Sequence, residues 1–188
     1  HEVSELGASR FALVSPEGNY TERTYWTPEL NVDESMTLEQ AIQGARQAII
    51  DSVKLRLRAD VPLAFCMSGG VDSNSMISVA RRVFNYDVHG FTIVEKDWRY
   101  DEKDMVQASV NELDIRHTEI PVDTADFLPK MRDLVRYHDA PLYTITYYAS
   151  WLLMQSIAEH GYRISVSGVA ADELFTGYYD HHSMYLAE

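Results

Sequence analysis

The chain has 188 residues, with 16 Lys and Arg against 29 Asp and Glu, a formal charge of −13 with histidine neutral. A hydrophobic share of 46% beside 24% charged residues excludes a disordered chain and predicts one core-forming domain with an appendage. The acidic balance excludes broad, sequence-independent contact with nucleic acid, and the single cysteine, Cys66, excludes an internal disulfide or a cysteine-based zinc cluster and fits a reducing compartment.

In chain order, Phe11 to Val14 and Thr24 to Thr27 are strand-like runs around Pro16-Glu-Gly-Asn19, which predicts a hairpin or the tail of a preceding domain. From Thr37 the apolar positions Leu38, Ala41, Ile42, Ala45, Ala48, Ile49, Val53 and Leu57 recur at helical spacing, so a long amphipathic helix is expected, ending before Pro62. Pro62 to Met67 is an apolar run of strand length; Ser68-Gly69-Gly70 follows at once, then Met76, Ile77, Val79, Ala80 and Val83 at helical spacing. Further on come a strand at Val88 to Val94, a helix from about Asp101 to Leu113, a strand at Ile115 to Ile120 and a helix from Thr124 to about Tyr137. A helix at Ile145 to Glu159 and a strand at Arg163 to Val166 complete the pattern. Short apolar strands alternating with helices predict an α/β fold, a doubly wound parallel sheet, because parallel strands need crossover connections. No apolar run reaches the roughly 20 residues that cross a bilayer, and a cytoplasmic protein with no membrane partner is expected. The opening at His1, without Met, reads as a piece of a longer polypeptide: residues 1 to 31 as a tail and linker, 32 to 188 as the working domain.

Two glycine turns carry the candidate chemistry. Ser68-Gly-Gly-Val-Asp-Ser73 stands at the carboxyl end of a buried strand, where open parallel sheets place ligands. Gly69 and Gly70 let a ligand approach the backbone, the amides at the following helix start suit an anion such as phosphate, and Ser68 and Ser73 add hydroxyls. A carboxylate, Asp72, beside a phosphate implies a bridging divalent cation, Mg²⁺ by its taste for oxygen ligands. The competing reading is an ordinary strand-to-helix turn capped by Asp72 or Ser73. The second turn, Ser167-Gly-Val-Ala-Ala-Asp-Glu-Leu-Phe-Thr-Gly-Tyr178, also follows a strand. Asp172 is the second candidate cation ligand; Glu173, about 100° away around a helix, is expected to face elsewhere, as a further catalytic candidate or as a first-turn charge.

The string SGGVDS resembles the pyrophosphate-binding loop of ATP-pyrophosphatases, which cleave ATP between the α and β phosphates. Read together with Leu55-Arg-Leu-Arg-Ala-Asp-Val-Pro62, Gly90-Phe-Thr-Ile93, Tyr100-Asp-Glu102, His138-Asp-Ala-Pro141 and the run from Ser167 to Tyr178, the chain resembles the synthetase half of the asparagine synthetase family. The resemblance implies an adenine nucleotide alpha hydrolase-like (ATP-pyrophosphatase) fold. It also implies ATP-dependent adenylation of a carboxylic acid, aspartate first, with release of pyrophosphate and attack by ammonia; the ammonia would come from an amino-terminal glutaminase domain of which residues 1 to 31 are the tail. Carried over by position, Met67 and Ile93 would contact adenosine, Ser68, Gly69, Gly70, Val71, Asp72 and Ser73 the pyrophosphate, Ser167 and Gly168 the AMP portion, and Asp72 and Asp172 the Mg²⁺. The departure is Val169, where asparagine synthetases usually carry the glutamate of Ser-Gly-Glu-Gly. A lysine for the adenylation step is expected beyond Glu188, so this piece alone is expected to be inactive. Alternatives are amidation of a uronic acid in surface polysaccharide synthesis, or a module that binds ATP or AMP without chemistry; a homodimer is allowed for. A tRNA-modifying relative is disfavoured by the charge.

Elsewhere the plainer readings prevail. Cys66 is expected to be a small core residue, the stretch from Glu95 to Asp104 a solvated surface with Asp101 capping a helix, and Asp180-His-His182 a solvated or substrate-facing loop. Tyr143, Tyr147, Tyr148 and Trp151 form an aromatic face expected to pack in a core or interface.

Overall fold

The computed structural model describes residues 4–29, 31–94, 97, 99 and 102–187. Two compact units divide the chain, His1–Ile42 and Gln43–Glu188. In the first, β1 (Arg10–Val14) pairs antiparallel with β2 (Tyr20–Thr24). The turn between them closes through Gly18 N–H to Ser15 O at 2.9 Å, with Gly18 at φ 86°. The second strand therefore starts directly after the turn, five residues before the aromatic run at Tyr25 and Trp26 that suggested it. Closure of the turn sets the register here, and the exposed Tyr20 to Thr24 stretch carries no apolar pattern to reveal it.

The helix α1 (Leu38–Arg56) opens on a reciprocal cap: Gln40 N–H donates to Thr37 Oγ1 at 3.2 Å, and Gln40 Oε1 accepts Thr37 N–H at 2.8 Å. In the second unit follow β3 (Leu63–Cys66), α2 (Val71–Ser78) continued by a π-helical turn over Val79–Val83, β4 (His89–Val94), α3 (Lys103–Leu113) and β5 (Arg116–Pro121). Then come α4 (Phe127–His138), α5 (Thr146–Glu159), β6 (Ile164–Val166), α6 (Ala171–Phe175) and α7 (Tyr179–Ala187). The four strands of this unit form a sheet in the order β5-β4-β3-β6, every pair parallel. Helices cover both faces, so the expected doubly wound α/β architecture is present.

Alternation along β3 divides the core. Leu63, Phe65 and Met67 point to one face, where they meet Val53 of α1, Ile77 of α2, and Val106 and Leu113 of α3. Ala64 points to the other, where Phe91 and Ile120 meet Ile157 of α5, with Cys66 half-buried beside them. Burial pushes the Cys66 thiol up, against a weaker hydrogen bond with Ser165, which suits the inert core role. His89 is buried with both ring nitrogens satisfied, Nδ1 by Tyr162 Oη at 3.0 Å and Nε2 by Thr118 Oγ1 at 2.8 Å.

The chain winds from β3 outward to β4 and β5, then returns to place β6 on the opposite side of β3. The strand order thus reverses between β3 and β6, and the turns that leave these two strands stand side by side at that switch point. Among the described residues no helix is long and apolar enough to cross a membrane. Asp180 to His182, expected in a loop, lie in α7; three consecutive residues spanning less than one helical turn carry no periodic signal to distinguish the two. Tyr100 and Asp101 lie outside the described residues.

Candidate functional site

The turn after β3 is tied internally so that its carbonyls face inward. Ser73, 7% exposed, accepts the Ser68 N–H at 3.2 Å on its hydroxyl, which also lies 3.0 Å from Ser68 Oγ. Asn74 Nδ2 donates to Ser68 O at 2.9 Å and to Gly70 O at 2.7 Å, while its buried Oδ1 has no partner among the described residues. Gly70 N–H donates to Ser68 Oγ at 3.2 Å, and Gly69 N–H to the carboxylate of Glu102 at 2.8 Å. Gly70 stands at the N-cap of α2 in extended geometry with no side-chain cap, so the amides of Val71, Asp72 and Ser73 have neither an intrahelical acceptor nor a capping oxygen. Open amides at the positive end of a helix suit an anion. The capping alternative, with Asp72 or Ser73 closing the helix start, is therefore not what the turn uses.

The turn after β6 is seated on this one. A Cβ on Gly168 would meet Asp72 Cβ and Ser73 N at 3.0 Å each, so any side chain there would force the two turns apart by a few tenths of an ångström. Beside the contact opens a cavity of about 690 Å³, lined by Val71, Asp72, Ser167, Gly168 and Val169 together with apolar residues of α1, including Val53. Val169 is 83% exposed. Ala170 has φ 79°, a left-handed conformation that glycine adopts freely and alanine does not. Asp172 is half-buried in α6, its carboxylate turned onto Gly177, where no Cβ would fit.

Tyr178 Oη donates to Glu173 Oε1 at 2.9 Å. That hydrogen bond is the main cause holding the phenol above its ordinary range; desolvation and the charges of Glu173, Asp172 and Asp72 add to it. Among the described residues no group of three or more His, Cys, Asp or Glu forms a ready cation cage. Asp72 is half-buried in the first turn of α2, beside the open amides, whereas the Asp172 carboxylate lies against Gly177.

Ser68, Gly69, Gly70, Val71, Asp72, Ser73, Ser167 and Gly168 are therefore gathered at one end of the sheet. Of the residues expected at the site, Val71, Asp72, Ser167 and Gly168 line the cavity, whereas Ser68, Gly69, Gly70, Ser73, Asp172, Glu173, Met67 and Ile93 do not. The Met67 side chain packs in the core against Gly90, its N–H donates to Phe91 O at 2.8 Å and its carbonyl accepts Thr92 Oγ1 at 2.9 Å. Ile93 packs on the α5 face of the sheet.

Three residues without an expected site role join the site: Asn74, and Glu102 and Tyr178, which the sequence marks as parts of the family's motifs. Glu102, expected on a solvated acidic surface, stands at the N-cap of α3 with its carboxylate on the glycine turn. The contact spans 33 residues, and the Tyr100-Asp-Glu102 motif is its one sequence signal.

A family model described as asparagine synthase matches residues 44–188. The chain belongs to the asparagine synthase family. The region that the asparagine synthase model matches begins within α1 and takes in both glycine turns. Asparagine synthetase [glutamine-hydrolyzing] 1 of Bacillus subtilis is 28% identical over 166 residues, covering 88% of this chain and 26% of that protein. Amidase chyE of Penicillium rubens is 23% identical over 193 residues, covering 94% and 29%. The chain thus spans between a quarter and a third of the length of these relatives. Among solved structures, an NH3-dependent NAD synthetase from Campylobacter jejuni superposes with a TM-score of 0.46 at 14% identity, covering 72% of this chain and 60% of that one.

Proposed function

We propose that this asparagine synthase domain binds MgATP in the crevice between β3 and β6 and adenylates a carboxylic acid, releasing pyrophosphate and leaving the acyl group for amidation by ammonia. The observation that carries the proposal is the seating of Gly168 on the first turn of α2, which brings the two turns to one ligand-sized crevice. The amides of α2's first turn, with the Ser68 and Ser73 hydroxyls, would take the pyrophosphate, and Ser167 and Gly168 would meet the AMP portion. Asp72 and Asp172 would hold Mg²⁺, which when bound offsets the charge of the phosphate oxygens. Glu173, an acceptor for Tyr178 Oη, would hold or move a proton for the reacting groups.

Aspartate is the first acceptor in this reading, with ammonia from a glutaminase domain of the full-length protein, which would act in the cytoplasm. One observation favours a second acceptor class. Val169 presents an exposed apolar side chain where the family's glutamate would stand, which suits a different acid, such as a uronic acid of a surface polysaccharide. The test is ATP–pyrophosphate exchange by the full-length protein with L-aspartate and a panel of uronic acids. Exchange with aspartate supports an asparagine synthetase, and exchange with a sugar acid alone supports a carbohydrate amidotransferase. Binding of MgATP without exchange for any acid would leave a nucleotide-binding module in place of a ligase.

A further inference from the structure

We infer that Glu102 is a positioning residue of the nucleotide site: it braces Gly69, so that the amides presented to phosphate are those of Val71 through Ser73 and not that of Gly69. The inference rests on reading the turn after β3 as the pyrophosphate loop. Two observations support it independently. First, the Gly69 N–H is already spent, donating to Glu102 Oε2 at 2.8 Å in a charge-assisted bond, which is stronger than a neutral one. Second, Gly69 is walled in by the start of α3: a Cβ there would lie 3.0 Å from Met105 Cε and 3.2 Å from both Glu102 Cβ and Met105 Cβ.

On its other side the turn is gripped by Asn74, whose amide holds the carbonyls of Ser68 and Gly70. The Gly69 peptide is therefore clamped between two side chains. Its carboxylate neighbour would repel a phosphate that sought the same amide. The brace trades one phosphate donor for a rigid loop, and a preformed loop loses less conformational freedom when the nucleotide arrives. What matters in this role is the reach of the side chain and an acceptor oxygen, and the negative charge is secondary. Glutamine keeps both. Aspartate keeps the charge but falls one methylene short.

The test is isothermal calorimetry of MgATP binding to the full-length protein, wild type beside Glu102→Gln and Glu102→Asp, with the unfolding temperature of each recorded in parallel. The expected result is binding by Glu102→Gln within about threefold of wild type, and about tenfold weaker binding by Glu102→Asp, the scale of one lost hydrogen bond to a charged group. Rescue by glutamine is the readout that a purely electrostatic or metal-binding role would not give. The inference is overturned if aspartate binds like wild type while glutamine fails, if both variants bind like wild type, or if either binds more tightly. Wild-type protein that binds no MgATP would instead overturn the reading of the turn as a pyrophosphate loop.

Discussion

Gly168 sits so near Asp72 that a Cβ added to it would stand 3.0 Å from the Asp72 Cβ, and the same from Ser73 N. The obstacle is backbone and a first-turn side chain, neither of which can swing aside. Gly168→Ala should therefore push the turn after β6 off the start of α2. The expected cost is about 1–3 kcal/mol in unfolding free energy, the usual range for overpacking, with MgATP affinity lowered about tenfold or more. Urea titration and calorimetry on the same preparation would check both, and an alanine variant that binds normally would show that the two turns need not touch.

Asp72→Ala should abolish measurable MgATP binding, and chelation of Mg²⁺ should reproduce most of that loss in the wild type. Both follow if the carboxylate meets the nucleotide through a cation. Calorimetry in which the variant matches wild type would take the nucleotide away from this turn.

Ala170 carries a left-handed backbone, φ 79° and ψ 5°, at the centre of the second turn. Relief of that strain by Ala170→Gly outweighs the extra freedom glycine has when unfolded, so a gain of up to about 1 kcal/mol is expected. A shift of the urea midpoint to higher concentration at unchanged slope is the confirming result; a shift to lower concentration would mean that the residue is not strained in solution.

The sheet carries an acid-sensitive pair. Burial holds His89 below the ordinary histidine range, and nearby Arg116, His160 and His117 reinforce it against Asp87. His117 is lowered by burial, with Glu119 opposing. For a group whose folded pKa lies below its unfolded one, the unfolded chain binds more protons between the two values, so stability rises with pH there. The contribution is complete above the unfolded value near 6.5 and is lost as pH falls below it toward the folded values. Urea midpoints should therefore decline from pH 7.5 to 5.5, and His89→Gln should flatten the decline. A midpoint independent of pH over that range would contradict the buried, neutral assignment.

Much of this was legible in the residues. Pro62 to Met67 reads as a strand because both of its faces are covered, which makes it apolar at nearly every position. The turn after it reads as a candidate site because paired glycines and a carboxylate follow a buried strand at its carboxyl end. What stayed hidden is long-range. Nothing near β3 specifies β6 as its neighbour, nothing near Gly69 names Glu102, and the close approach of Gly168 to Asp72 depends on the sheet that joins them. The hairpin was displaced because Tyr25 and Trp26 look more strand-like than Tyr20 to Thr24, although the turn geometry selects the latter.

The pairing of Leu63 with Ile164 has a consequence for how the protein is made. β3 finds β4 after one helical crossover, but it waits about a hundred residues for β6, and closing so large a loop is entropically costly. During synthesis, at about 5–20 residues per second, the β3 edge stays bare for several seconds while the chain between β4 and β6 emerges. An uncovered strand as apolar as Leu63 to Cys66 is a template for wrong pairing. A nascent chain halted between β5 and β6 would carry the whole 68–73 turn yet lack Gly168 to close over it, and it would leave the ribosome as a chaperone client.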